Sequence, residues 1–280
     1  MQSIENLQFS QTSLQEFIEC HRRFYLRYIE NIKWPGIRFE PALEFEKFTI
    51  EGSMLHQSIH QYFIGISVDR ISHSLIGSQL ELWWQNFINF KNNSPALSNN
   101  EYQKFPEYVL IGRINQFKLV AKYDLVVVLP DDKVIIFDWK TNHKQPDRKW
   151  LLNRIQTKLY PVLLLMSGQH LARNELKPEN ITMIYWFANQ PGREVIIEYS
   201  DSQFRRDIED LGKTLSLIQQ LSNDLEEDSF KLTENKRKCM YCEYRSLCNT
   251  GIQAGTTQEF SENEIEDLSF DLEQISEVQF

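Results

Sequence analysis

The run DLVVVLPDDKVIIFDWKT, Asp124 to Thr141, constrains the fold more than any other stretch. Two apolar, β-branched segments flank Pro130-Asp131-Asp132, so the run predicts a pair of antiparallel strands joined at that turn. Strand side chains alternate between faces with period two, which puts Asp138 and Lys140 on one face. Asp124 opens the first segment, and pairing across the turn brings it toward Asp138 at the end of the ladder distant from the turn. Two hard oxygen donors and an ammonium then share a site. Hydrolysis of a phosphodiester needs such a set: a divalent metal to activate water and carry charge on the phosphate, and a cation near the attacking oxygen. Lys140 is that cation.

Apolar periodicity orders the rest of the chain. Residues 10–30 predict an amphipathic helix capped by Ser10 or Thr12, with a break near Cys20. Two more helices are predicted over 52–66 and 73–91, a helical region of about 52–92. Its aromatic stripe of Trp83, Trp84, Phe87 and Phe90 reads as core rather than as a platform for bases. KNNSPALSNN, 91–100, reads as a loop. The period then becomes two, giving strands near 108–113, 117–128 and 133–140. A helix over 149–167, strands over 181–188 and 193–199 and a long helix over 201–225 complete the order, which predicts an α/β fold with a mixed sheet covered by helices.

The formal net charge of −9 sits poorly with a nucleic-acid enzyme until it is located. Residues 251–280 hold eight acids and no lysine or arginine, leaving 31 acids against 30 bases in residues 1–250. The expected organisation is therefore one domain over 1–250, including a cysteine segment at 236–250, followed by a flexible acidic tail over 251–280. The tail reads as a solubilising segment or as a competitor for a basic groove. Bases gather at Arg22-Arg23, from Lys140 to Lys158 with Lys144, Arg148, Lys149 and Arg154 between, and at Lys236-Arg237-Lys238. Such clusters can contact phosphates. No apolar run approaches the roughly eighteen residues of a membrane span, and the first residues lack a signal peptide's basic start and apolar core, so a cytoplasmic protein is expected.

Three constellations remain. His56 is followed by His60 at i+4, but Gln57 stands where a zinc-protease helix needs glutamate, so that chemistry is excluded. His56 instead fits as one nitrogen donor beside Asp124 and Asp138, a mixed set that suits manganese as well as magnesium. Gln156 and Tyr160 share one helix face and can meet a nucleic-acid backbone or orient Lys140. Cys239, Cys242 and Cys248 form C-x2-C-x5-C, and Cys20 lies over two hundred residues upstream. Disulfides do not suit this compartment, and an iron–sulfur cluster, zinc or free thiols stay open.

With Cys20, His56, Asp124, Asp138-Trp139-Lys140, Gln156-Tyr160 and the cysteine trio in this order, residues 10–250 resemble the PD-(D/E)XK nuclease superfamily. The closer resemblance is to RecB-like nucleases that carry an iron–sulfur cluster, such as the AddB nuclease domain and single-domain CRISPR-associated members. The resemblance implies a restriction-endonuclease-like fold and metal ligation by His56, Asp124, Asp138 and the Trp139 carbonyl. It also implies that Lys140 assists the attacking water, that Gln156 and Tyr160 contact DNA, and that Cys20, Cys239, Cys242 and Cys248 hold a 4Fe-4S cluster. Tyr123 replaces the proline of the motif name, and His21 stands where proline often follows the first cysteine.

The expected function is a Mg- or Mn-dependent deoxyribonuclease acting on single-stranded or frayed DNA ends in repair, recombination or defence. The alternative is a cluster-stabilised DNA-binding or scaffold subunit. The chain has no Walker A loop, so a helicase or another repair or defence protein would supply unwinding, and no membrane partner is expected.

Overall fold

The structure, a computed structural model, describes residues 4, 7–32, 40–141, 146–223, 229–240 and 242–253, with side chains described from residue 50 in the second of these long stretches. The acidic tail beyond residue 253 and Lys144 lie outside the described residues. Among the described residues six strands form one mixed sheet: β1 (Gln8–Phe9), β2 (Gln103–Ile114), β3 (Phe117–Val128), β4 (Val134–Lys140), β5 (Ile181–Phe187) and β6 (Val195–Glu198). β2 and β3 pair antiparallel from Gln103↔Val128 to Ile114↔Phe117 with a gap at Glu107 and Asp124, and β3 and β4 form the expected antiparallel pair. β4 runs parallel to β5, and β5 antiparallel to β6. The mixed α/β class expected from the sequence is the one observed.

Helices cover both faces. Leu14 and Phe17 of α1 (Gln11–Glu19), Phe24 of α2 (His21–Phe24) and Tyr25, Leu26, Tyr28 and Ile29 of a following π-helical turn pack on one face. Leu159 and Leu163 of α8 (Ile155–Ser167) and Leu211 and Leu215 of α9 (Asp201–Asn223) complete that layer. The other face takes α3 (Glu40–Phe63), α4 (Val68–Leu75), α5 (Gln79–Asn93) and α6 (Pro95–Ser98). Trp83, Trp84 and Phe87 are fully buried and Phe90 packs beside them, so the aromatic stripe is core. Burying each such ring stabilises the fold by roughly 1.5–3 kcal/mol.

The first helix breaks at Cys20 as expected, where an extended backbone (φ −161°) ends α1 and begins α2, while several other element boundaries differ from expectation. Ser10 caps α1 in a reciprocal arrangement with Ser13. α3 begins at Glu40, twelve residues before the expected start. The expected helix over 73–91 is two helices, separated where Gly77 adopts φ +78°. The expected loop over 91–100 contains α6, where Pro95 takes the first helical position and Ala96 and Leu97 are buried. The helix over 149–167 is split into α7 (Arg148–Asn153) and α8 by extended Arg154. β1 was not expected, because two residues carry no period to read.

Candidate active site

The site lies where β3 and β4 part. Their ladder ends at Leu125↔Phe137, one rung short of Asp124 and Asp138. Beyond that rung the Trp139 N–H loses its strand partner and donates to Asp124 Oδ2 at 2.7 Å. The opening also lets α3 reach in from the opposite face, where His56 meets the Trp139 carbonyl at 3.0 Å. Gly52 stands one turn before His56 in α3. A Cβ there would sit 3.2 Å from Thr141 Oγ1, so glycine lets α3 approach the end of β4 closely.

The alternation of β3 slips at this point. Leu119, Ala121 and Tyr123 face the core under α1, α8 and α9, as do Val126 and Val128, whereas Leu125 and Val127 face the opposite core. The β2–β3 register sets Glu107 across from Asp124, between the pairs Pro106↔Leu125 and Tyr108↔Tyr123. Glu107 adopts φ +51°, a left-handed conformation costing on the order of 1–2 kcal/mol for a residue with a Cβ. Both strands are thus distorted at the rung that carries the carboxylates.

His56, half-buried, sits between two acceptors: Asp124 Oδ1 at 3.1 Å from Nδ1 and the Trp139 carbonyl at Nε2. A ring in that position donates from both nitrogens and carries a proton on each. Burial alone would lower its pKa, but Asp124, through charge and hydrogen bond, with Asp138 and Glu107 adding, raises it to about 9. Burial likewise pushes Asp124 up, and His56 and the Trp139 N–H more than reverse that. Asp138 is pushed up to about 6 by burial, against the pull of Lys140 and with the Asp124 charge adding.

Lys140 Nζ lies 3.0 Å from Asp138 Oδ2, 3.1 Å from Gln156 Oε1 and 5.7 Å from the centre of the Tyr185 ring. Gln156, in the first turn of α8, also donates its amide N–H to Asp138 Oδ1. One buried amide therefore holds both the carboxylate and the ammonium. Tyr160, one helical turn on, is 4% exposed and donates its hydroxyl to the Lys122 carbonyl at 2.7 Å, while its own carbonyl accepts from Tyr123. Gln156, at 7% exposure, and Tyr160 thus direct their polar atoms inward. Asn189 fixes the chain after Lys140, donating to the Thr141 carbonyl and accepting from the Trp83 indole.

The donor set fits a divalent cation. Asp138 Oδ2 is buried and accepts no hydrogen bond of good geometry, although Lys140 stands beside it. His56, Glu107 and Asp124 each present a ligand atom within 4.8 Å of the others. These are hard oxygens with one imidazole nitrogen, and in the metal-free protein a proton on His56 supplies the positive charge they need. Sequence reasoning missed Glu107 and Gly52. A two-residue turn at Asn115-Gln116 between the expected strands would have paired 107 with 124.

This arrangement has a pH signature. Asp138 and His56 both hold protons more tightly folded than unfolded. Their contributions to the metal-free fold are complete below about pH 4 and 6.5 respectively, and are lost as pH rises through about 6 and about 9. A divalent cation displaces those protons, so the rise in melting temperature caused by Mn²⁺ should grow from about pH 5 to about pH 9. His56→Gln should flatten the upper part of that rise. A Mn²⁺ effect independent of pH would mean that the ion binds elsewhere.

The cysteines gather at a second centre. Cys20 accepts the Arg23 N–H at 3.5 Å and lies in the neighbourhood of Cys239, Cys242 and Cys248, although over two hundred residues separate them in sequence. Burial pushes the Cys242 thiol up to about 12, and Cys239 and Cys248 move in the same direction. Among the described residues the sulfurs share a neighbourhood but do not form a group with ligand atoms within 4.8 Å of one another, as His56, Glu107 and Asp124 do. Side chains also tie the two ends together: Arg27 pairs with both Glu16 and Glu243, Tyr244 donates to the Ile32 carbonyl, and Tyr25 packs on Phe230. Much of the basic character is spent internally. Arg23 is buried against Glu19, which Arg154 and Lys238 also approach, and Lys158 pairs with Asp210, while Lys149, Lys236 and Arg237 remain exposed. Arg23 therefore cannot serve as the phosphate contact that its sequence cluster offered.

No helix among the described residues is long and apolar enough to cross a membrane. A model of the PD-(D/E)XK nuclease superfamily matches residues 8–249. Among solved structures, the chain is similar to a protein named "Putative exonuclease" from Eubacterium rectale, with 10% identity, a TM-score of 0.53, and coverage of 90% of this chain and 91% of that one. It also aligns with SSO0001 at 15% identity and a TM-score of 0.38, over 90% of each chain. No curated protein sequence matches. The first structural likeness speaks for the fold.

Proposed function

The chain belongs to the PD-(D/E)XK nuclease superfamily, and from that premise we propose that residues 1–250 form a Mg- or Mn-dependent deoxyribonuclease that trims single-stranded or frayed DNA ends. The observation that carries this reading is the meeting of Asp124, Asp138, Lys140 and His56 where β3 and β4 part, with the buried Asp138 carboxylate paired to Lys140 at 3.0 Å. His56, Asp124, Asp138 and the Trp139 carbonyl would hold the cation. When bound, it supplies positive charge that activates water and neutralises the scissile phosphate. Lys140 holds a fixed positive charge where negative charge develops on the phosphate, and Asp138 and Gln156 keep its ammonium in place. Gln156 and Tyr160 act first by positioning, and any contact with DNA comes through the helix surface around them.

The four cysteines would hold a 4Fe-4S cluster, with zinc as the alternative, in the manner of RecB-like nucleases. That centre ties the first helices to the C-terminal segment and is structural in role. The reading places the protein in the cytoplasm, in DNA repair, recombination or defence, with a helicase or similar partner providing unwound ends. One preparation tests both centres. Protein purified without oxygen should contain about four iron atoms per chain and shorten end-labelled single-stranded DNA with Mg²⁺ or Mn²⁺ but not in EDTA. Tight, salt-dependent DNA binding without cleavage would instead make it a binding subunit.

A further inference from the structure

Glu107 has no part in the ligand set that the sequence suggested, yet the fold delivers it to the same point. It faces Asp124 across the β2–β3 ladder, and its carboxylate, a His56 nitrogen and an Asp124 oxygen all lie within 4.8 Å of one another. These donors come from three separate elements, α3, β2 and β3. The neighbouring Asp138 is buried, its Oδ2 lies 3.0 Å from Lys140 Nζ, and its charge acts on both His56 and Asp124. The centre therefore brings two carboxylates and an imidazole around one position, with the Asp138–Lys140 pair beside them. Lys122 Nζ, 2.6 Å from Glu107 Oε2, offsets the Glu107 charge on the outer side.

We propose that Glu107 is a ligand of the divalent cation, joining His56 and Asp124, an assignment that rests on the nuclease reading above. A carboxylate serves as well as any donor for Mg²⁺ or Mn²⁺, and its negative charge adds to affinity directly. Its role differs from that of Lys140, which touches the reacting phosphate. Glu107 raises occupancy of the cation, and Lys122 competes with the cation for its charge while the site is empty.

The test is a titration of the whole protein with Mn²⁺, reading unbound ion by electron paramagnetic resonance and heat by calorimetry, in wild type and in Glu107→Gln, Asp124→Asn and Lys122→Met. Glu107→Gln should weaken Mn²⁺ binding at least about ten-fold, while Lys122→Met, which removes the outer partner of Glu107, should bind as tightly as wild type or tighter. Glu107→Asn suits the left-handed backbone at this position and gives the same readout where the glutamine variant does not fold. Wild-type affinity in both Glu107 variants, alongside loss in Asp124→Asn, overturns the assignment and leaves the nuclease reading standing. Equal loss in Lys122→Met and Glu107→Gln also overturns it, because the ion pair and not the ligand would then be what matters. A wild-type protein that binds no Mn²⁺ defeats the nuclease reading itself.

Discussion

Replacing Lys140 by alanine is expected to lower metal-dependent DNA cleavage by roughly 10²- to 10³-fold, about 2.7–4 kcal/mol at the transition state, with little loss of stability. The first half of that expectation rests on geometry. Lys140 Nζ is held by Asp138 Oδ2 at 3.0 Å and by Gln156 Oε1 at 3.1 Å, so its charge is in place before substrate arrives and little reorganisation is needed during reaction. The second half rests on Asp138. Burial already pushes that carboxyl up to about 6, so without its ammonium partner it can take up a proton rather than remain a buried unpaired charge. Initial rates on labelled single- and double-stranded DNA, measured beside melting temperature and Mn²⁺ affinity, separate the two parts. A Lys140→Ala variant that cuts at the wild-type rate would remove lysine from the chemistry. A variant that unfolds would make its role structural.

Arg27→Ala should destabilise the fold by about 3–5 kcal/mol, nearer the lower figure, because it removes the only side chain that pairs with both Glu16 and Glu243 among the described residues. Glu16 is buried, and desolvation already pushes its pKa up, against the pull of Arg23 and Arg27. Arg23 stays near Glu16 in the variant, which moderates the loss. Arg27 also faces the Tyr244 ring at 5.9 Å, and Tyr244 anchors the cysteine segment to the Ile32 carbonyl. The damage should therefore centre on residues 236–248, appearing as faster hydrogen exchange there and as a lower urea midpoint for the whole protein. A midpoint equal to wild type would mean that the cysteine centre alone holds the two ends together.

Much of this architecture was readable in the residues. The period-two run predicted a strand over 117–128, and β3 spans Phe117–Val128. The same period put Asp138 and Lys140 on one face, where they form an ion pair. Pairing across Pro130-Asp131-Asp132 brought Asp124 and Asp138 to facing positions at the far end of the ladder, next to its last bonded rung. Tryptophans at helical spacing were core. Features without a local period were not readable. β1 is two residues long and is a strand only because the lower edge of β3 is open to it. The split at Arg154 also left no signal, although it places Gln156 in the first turn of a new helix, within reach of both Asp138 and Lys140.

Side-chain alternation and covalent order by themselves determined the strand pair, the carboxylate–lysine face and the aromatic core, because these depend on neighbours a few residues apart or across one turn. Only the tertiary structure decided which of the site's groups meet. The parting of β3 and β4 frees the Trp139 peptide and admits His56 from the opposite face. The slip of alternation at Asp124 turns Glu107 toward the same centre. The packing of the first helices on the C-terminal segment brings Cys20 to cysteines more than two hundred residues away. Each of these is a balance between backbone hydrogen bonds given up and side-chain interactions formed across the sheet, and such a balance has no signature in the spacing of residues along the chain.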